Sequence, residues 1–415
     1  MSGAIEASGG ISLKHRLRRA ERLTRLKYLG LIAPLAVFLL LTFVWPIGSL
    51  LYRSIDNPEV VGALPRTVQA LGNWDGKDLP DDAVFDALAA DLSVDRRSPV
   101  LAGAAKRLNM EMSGFRSLLI NTARKLDQQP GQSAKAAILA AEPRWGDIEI
   151  WRIVARNRSS VTPFYLLSAL DLRIGDDGGI VRAPDDQAIY VDILIRTLWM
   201  SVFVTFWCLL LGYPLAYLLA QVSTGASNLL MILVLLPFWT SILVRVAAWI
   251  VLLQKEGPIN KALIALGLIN DPLQLVFNRF GVYIAMVHIL LPFVILPLYA
   301  VMKSIPPSYM RAAISLGCPP FKSFWKVYFP QTLPGVGAGG LLVFILAMGY
   351  YITPALLGSP KEQMASYFVA FYTNETINWG MAAALSAVLL VATLILYVFY
   401  ARYFGPARAK QITPR

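Results

Sequence analysis

The residues that could carry chemistry are few and scattered. Histidine occurs only at His15 and His288, and cysteine only at Cys208 and Cys318. A metal centre needs three or four N, S or O ligands converging on one point, and no Cys/His cluster of that kind exists in the chain. The two cysteines give no disulfide framework. Cys208 sits in an apolar run and Cys318 in a basic stretch, both as packing thiols. A nucleophilic serine on a strand-to-helix turn would appear as G-x-S-x-G, which is absent. The nearest approach to a phosphate loop, Gly72 to Asp78 (GNWDGKD), is one residue short of G-x-x-x-x-G-K-[ST]. It also places Asp78 where magnesium needs a hydroxyl. The expectation is a chain that is not an enzyme and has no catalytic residue, metal or cofactor of its own.

The elements around these residues explain the poverty. Of 415 residues 56% are hydrophobic and 15% charged, too apolar for an ordinary soluble enzyme. Crossing ~30 Å of hydrocarbon takes roughly 20 apolar helical residues. Residues 28–52 meet that length without a charge, and further runs lie at about 196–222, 229–253, 280–302, 336–357 and 383–404. Six transmembrane helices are predicted. The first follows a basic stretch, as a signal peptide would, but its apolar run exceeds a ~7–15-residue signal core. It reads as an uncleaved helix.

The net charge of +12 is distributed to match. Lys14, Arg16, Arg18, Arg19, Arg22, Arg25 and Lys27 precede span one. Lys303, Arg311, Lys322 and Lys326 lie between spans four and five, and Arg402, Arg408 and Lys410 follow span six. With six spans all three segments fall on one side, and basic loops mark the cytoplasm. Residues 255–278 and 358–382, on the other side, carry fewer cations. The N-terminal segment 1–27 and the tail 406–415 are therefore expected in the cytoplasm of a multi-pass inner-membrane protein. A contact of the basic N-terminal stretch with anionic lipid is one reading and a solvated topology signal the other. Binding of nucleic acid is not expected. Between spans one and two, residues 53–190 form an insert outside the cytoplasm. Helical spacing of apolar residues runs through Asp82–Leu92, Pro99–Leu126 and Ala134–Ala155, punctuated by Pro130-Gly131 and Gly178-Gly179. A small, mainly helical domain is predicted.

The most informative segment is 308–330 (SYMRAAISLGCPPFKSFWKVYFP), within a loop spanning 304–334. A short helix should run to Leu316 and stop at Gly317, with a second helix starting at Pro319 or Pro320. Glycine suits the left-handed residue after a helix and proline a helix start. Phe321, Phe324, Trp325 and Tyr328 recur at three- and four-residue intervals, so the second helix is amphipathic. A rigid aromatic pair of this kind suits insertion into a groove on another subunit.

This segment resembles the cytoplasmic "EAA" loop of ABC importer permeases, whose pattern is E-A-A-x-x-x-G, nine residues, then I-x-L-P. Ala312, Ala313, Gly317 and Pro330 match, Val327 stands for the isoleucine and Phe329 for the leucine. Arg311 stands where the family has glutamate, reversing one charge. The stretches GYPLAYLLA (212–220), LPFWTS (236–241) with Val244-Arg245, LPF (291–293) and TPALLG (353–358) resemble the spermidine/putrescine branch of the same permeases. The likeness covers about 192–405 and, more weakly, span one. It implies a permease core at 191–405 of the type I importer kind, all-α with six transmembrane helices. It further implies a second permease subunit that pairs with this one as a heterodimer, a pair of ATPase subunits that bind ATP and Mg and grip the loop through Arg311, Ala312, Ala313, Gly317, Phe321, Phe324 and Pro330, and a periplasmic solute-binding protein.

Candidates for the solute pathway are Trp239, Arg245, Trp249, Tyr350 and Tyr351. A charge inside a span, such as Arg245, usually faces a cavity or partner, and the alternative role is structural anchoring. For the aromatic residues the alternative is helix packing. His288 reads as an interhelical hydrogen bonder, and Gly337, Gly339 and Gly340 as points of close helix approach. The branch commonly carries an acid just before the aromatic-x-T-P-A-L-L stretch, where this chain has Tyr350. A polycation would then have only aromatic faces to rest on, so an amino-acid derivative or other small polar solute is the competing expectation. An ion-coupled secondary transporter is the alternative function, and it would call for intramembrane carboxylates or paired broken helices. A membrane-anchored sensor would call for one or two spans.

Overall fold

The computed structural model describes residues 13–94, 98–126, 133–175 and 178–404. The expected turn at Pro130-Gly131, Arg408, Lys410 and the tail 406–415 lie outside those residues. The chain forms two units, residues 1–53 and 54–415. The first is a helix from Leu13 through Tyr52, interrupted only by a π-helical turn at Leu40–Val44, and Lys27–Tyr52 is long and apolar enough to cross a membrane. The basic stretch is thus helical from Leu13 onward and continuous with the span.

The second unit opens with the insert. Its helices are Pro58–Ala63, Pro65–Ala70, Asp82–Val94, Pro99–Asn109, Phe115–Lys125, Ala134–Ala141, Ile148–Arg156 and Phe164–Ser168. A two-stranded antiparallel hairpin, Leu172–Ile174 with Ile180–Arg182, follows them. Two helices expected to be single are each divided. The 99–126 stretch breaks at Gly114, which takes φ +85°. There the Asn109 carboxamide oxygen accepts the N–H groups of Gly114 (2.9 Å) and Arg116 (3.2 Å). The 134–155 stretch breaks at Pro143, which turns the chain through Pro143–Gly146 before Asp147 caps the next helix at the Glu149 N–H. Periodicity persists across both breaks, so it does not reveal them.

The insert has a core of its own. Phe85, Phe115, Trp145 and Trp151 are wholly buried with Leu64, Leu71, Leu88, Leu92, Leu108 and Ile138. Phe85 and Trp151 meet at 4.8 Å, and Trp145 and Trp151 at 4.9 Å. Both indole N–H groups are satisfied, Trp145 by Thr122 Oγ1 (2.8 Å) and Trp151 by the Trp145 carbonyl (2.9 Å). The buried Asp91 carboxylate accepts from the Thr67 N–H and hydroxyl, each at 2.8 Å.

Within residues 54–415, Tyr190–Gln221, Arg279–Ser304, Pro320–Met348 and Trp379–Arg402 are apolar and long enough to span. With the first unit that makes five such helices among the described residues, and six if one bent pair is counted as a span. That pair corrects the continuous helix expected at 229–253. Thr224–Trp239 and Ile242–Ala265 meet at 96° around Thr240 and Ser241. The last turn of the first arm is a 3-10 turn, Leu236–Trp239. Pro237 lacks an N–H, and Ser241 is extended (ψ 144°) before the next helix begins. The fifth span is likewise shifted from 336–357. It is already helical from Pro320, ends at Met348, and leaves Ile352–Leu357 as a separate short helix. Pro330 and Pro334 lie inside it, a placement that neighbouring helices make tolerable in membranes.

The bundle centre is built from the second, fourth and fifth spans around Met200, Val204, Cys208, Met286, Leu290, Val294, Leu298, Val343 and Ala347. Small residues let the helices close. A Cβ on Gly339 would stand 3.1 Å from the Val294 carbonyl oxygen, and one on Gly335 3.1 Å from the Val301 side chain. Gly340 faces Leu209 in the same way. Gly335 makes a close approach of the same kind as Gly339 and Gly340.

The insert is fixed to the bundle through its last helix and hairpin. Asp171 accepts the N–H groups of Tyr190 (2.9 Å) and Val191 (2.7 Å), so span two starts six residues before its apolar run. Tyr165 and Ala169 pack on Met381, Ala384 and Leu385 of span six. Lys106 donates to the Thr376 carbonyl, and the Tyr190 and Tyr372 hydroxyls are hydrogen-bonded. Phe277 and Ile377, two residues before spans four and six, both have positive φ, which is costly for side chains of that size.

Candidate functional site

The chain brings its candidate residues to two places. The first is the end of the bundle opposite the insert. Ser308–Ser315 is helical. Gly317 follows at φ +85°, with its N–H on the Ile314 carbonyl (2.9 Å) and the Cys318 N–H on the Ala313 carbonyl (3.1 Å). This αL termination satisfies carbonyls left over by the helix end. Pro319 and Pro320 then start the next helix, and Ser323 donates to the Cys318 carbonyl (3.1 Å). The expected helix, glycine stop and proline start are all present. The second helix differs from expectation in that it does not end: a π-helical turn at Phe324–Tyr328 carries it straight into span five. π-turns inside helices are often found at functional sites.

That continuity makes the aromatic face a lever. Phe324 and Tyr328 stack at 5.7 Å and turn inward. Tyr217, near the end of span two, meets Phe324 edge-on at 5.7 Å and Tyr328 at 5.4 Å. Tyr213 completes the group, at 5.8 Å from Phe329 and with its hydroxyl 3.1 Å from Thr332 Oγ1. Offset and edge-to-face pairs of this kind contribute roughly 0.5–1.5 kcal/mol each beyond their buried area. Tyr213 and Tyr217 were not singled out from the sequence as part of this site. Their spacing of four places them on one helical face, which was the available signal.

The other face of the loop is open. Leu316 is 88% exposed and Phe321 75%, with Tyr309, Ile314 and Trp325 exposed beside them. Arg311 and Ala312 lie on the same exposed helix, while Ala313 and Pro330 are half-buried. Large apolar side chains gathered on one exposed face at the end of the bundle mark an interaction surface.

The second place is where helices break. Arg245 follows the bend at Thr240-Ser241, and Tyr350 occupies the gap between span five and the Ile352–Leu357 helix. Trp249 and Tyr350 pack in one cluster with Val246, Ala285 and Leu357. Trp249 donates its indole N–H to His288 Nδ1 at 3.2 Å, so His288 makes the interhelical bond expected of it. The Arg245 charge reaches both His288 and Tyr350. Three buried polar atoms here, Arg245 Nε, the Tyr350 hydroxyl and Thr353 Oγ1, make no well-formed hydrogen bond. Buried polar atoms in that condition are costly unless something completes them. No aspartate or glutamate lies in this cluster. Trp239, 77% exposed at the bend, and Tyr351, also exposed, stand outside it. The structure therefore unites Arg245, Trp249 and Tyr350 and separates Trp239 and Tyr351 from them.

Comparison with known proteins places this geometry. Residues 212–409 match the family described as the binding-protein-dependent transport system inner membrane component. The chain is 35% identical over 213 residues to the spermidine/putrescine transport system permease protein PotB of Haemophilus influenzae, covering 51% of this chain and 74% of that protein. It is 34% identical over 213 residues to PotB of Escherichia coli, covering 51% and 78%. To the inner membrane ABC transporter permease protein YdcU of Escherichia coli it is 33% identical over 243 residues, covering 54% and 75%. Among solved structures, a bacterial ABC transporter involved in the import of the acidic polysaccharide alginate aligns over 54% of this chain and 80% of that chain. That alignment has 17% identity and a TM-score of 0.46. The family match, 212–409, begins after the insert.

Proposed function

The chain belongs to the family of binding-protein-dependent transport system inner membrane components, and from that premise we propose that it is the permease subunit of an ATP-driven importer coupled through residues 304–334. The observation that carries the coupling is the exposed apolar platform of Tyr309, Ile314, Leu316, Phe321 and Trp325 beside a glycine-turned helix pair. A separate ATPase pair, holding ATP and Mg, docks on that platform. Movement of the loop passes through the unbroken Pro320–Met348 helix to span five, and through Tyr213 and Tyr217 to span two. The spans then rock to expose the central site to one side or the other. The basic segments put the platform and both termini in the cytoplasm. The insert then faces the periplasm, where a solute-binding protein delivers its cargo, and a second permease completes the pathway. This chain itself catalyses no reaction and needs no cofactor.

For the solute, the names of the relatives support a polyamine. A cation would rest on the faces of Trp249 and Tyr350. One observation favours an amino-acid-derived solute instead: the cluster contributes a guanidinium, Arg245, and no carboxylate. Competition of radiolabelled putrescine uptake by amino acids and by spermidine separates the two.

The coupling is tested at Gly317. Valine there must take a left-handed conformation that costs roughly 1–2 kcal/mol and deforms the turn. Gly317→Val is expected to abolish uptake and ATPase co-purification while the chain still inserts in the membrane. Uptake at the wild-type rate would sink the proposed coupling.

A further inference from the structure

Arg196, Arg279 and Lys361 meet in a shallow cleft of about 630 Å³ at the end of the bundle that carries the insert. They come from three separate elements: the second turn of span two, the first residue of span four and the capped turn 360–362. Arg196 uses one donor, Nη1, on the Lys361 carbonyl. Arg279 stands 3.7 Å from Glu362 Oε1, while Ser359 engages the other oxygen of that carboxylate through its N–H and hydroxyl. The charges of Arg196 and Arg279 oppose each other. Asp192 is the one acid lining the cleft. Gathering three cations against two carboxylates is unfavourable by itself and calls for a further anion.

The position of the cleft says what kind. Span two has 32 residues, about 48 Å of helix, against ~30 Å of hydrocarbon. The charges of this helix, Asp192 and Arg196, lie in its first two turns, which suit the headgroup layer. Ile195 and Trp199 line the same cleft, and each is 59% exposed. Exposed apolar side chains of this kind suit acyl chains, and tryptophan is the usual interfacial anchor. Arginine forks suit phosphate oxygens.

We propose that this cleft is a binding site for the phosphate headgroup of a membrane phospholipid, held by Arg196, Arg279 and Lys361 with its acyl chains along Ile195 and Trp199. The lipid would stitch span two, span four and the 360–362 turn together at their outer ends. The site depends on the chain spanning a membrane and not on the solute it carries, so its failure leaves the importer reading standing.

The test is retention and titration of lipid on the full-length chain, purified in mild detergent and weighed by native mass spectrometry. Wild type is expected to keep at least one phospholipid more than Arg196→Gln/Lys361→Gln. After delipidation, the double variant should bind phosphatidylglycerol at least tenfold more weakly. Lys361→Gln alone, at an exposed side chain that leaves packing untouched, should show a smaller loss in the same direction. Lys255→Gln, an exposed cation away from the cleft, should retain lipid as wild type does. Equal retention by wild type and both cleft variants would overturn the proposal. So would equal binding of a phosphate-free diacylglycerol, which marks an apolar groove, or displacement of the lipid by millimolar inorganic phosphate, which marks a soluble-anion site.

Discussion

The insert and the membrane bundle are held together in different ways, although both are helical. In the insert, Trp145, Trp151, Phe85 and Phe115 are wholly buried, and their polar atoms find partners inside the domain. At the bundle centre the close contacts are made instead by Gly335, Gly339 and Gly340. Water supplies the reason for the first pattern, because burying a large aromatic face there is strongly favourable. Lipid gives no such gain, so helices associate through close packing of small residues. The insert is thus held by buried aromatic faces and the bundle by close approach of helices.

The largest effect that would sharpen this comparison is expected at Trp151. Trp151→Ala should cost the insert about 3–5 kcal/mol. Limited proteolysis of the full chain should then cut within 54–189, with the spans intact. Equal resistance to protease would mean the aromatic cluster is not what holds the insert. Next comes Gly339→Val, which forces a side chain against the Val294 backbone and should cost roughly 1–3 kcal/mol. Cys208 is buried at that interface and Cys318 is half-exposed. The melting of the bundle is therefore readable as thiol labelling of Cys208 at a lower temperature than in wild type, with the insert's protease pattern unaltered.

A smaller effect belongs to the lever between the two ends. Tyr217→Leu keeps an apolar side chain but loses edge-on contacts to Phe324 and Tyr328, worth about 1 kcal/mol. Uptake should fall roughly fivefold while insertion and protein level are unchanged. Unaltered uptake would show that the rings merely fill space.

The smallest effect is silent at neutral pH. Burial pushes the Tyr165 phenol up from its usual 10 to about 12, partly offset by Arg107. The docked state therefore holds its proton where the undocked state releases it. Stability from this group is full below pH 10 and is lost as pH rises from 10 through about 12. Tyrosinate absorbance titrated on wild type and Tyr165→Phe should show one phenol ionising only as the insert loosens. A midpoint near 10 for that phenol would place Tyr165 in contact with water.

Much of the cytoplasmic-type loop was legible because it is local. A left-handed glycine and a proline start are properties of neighbouring residues, and Gly317, Pro319 and Pro320 behave as their types dictate. The apolar spans were legible for the same reason, as length and hydropathy belong to the segment itself. The breaks were not. Pro237 ends a helix turn and helps bend the third span by 96°, whereas Pro330 and Pro334 lie within a helix that continues. In a membrane the freed carbonyl is tolerated only where a neighbouring group answers it, and that neighbour is fixed by packing.

By itself the sequence determined that long apolar helices are present, the turn at Gly317 and the helical character of the insert. Each follows from side-chain hydropathy or backbone preference within a few residues. Only the tertiary structure decided that Asp171 caps a helix beginning at Tyr190, that Tyr213 and Tyr217 join the loop to span two, and that Arg245, Trp249 and Tyr350 meet. Those pairings bridge from nineteen to more than a hundred residues, and no local preference encodes which distant surface a helix face will find.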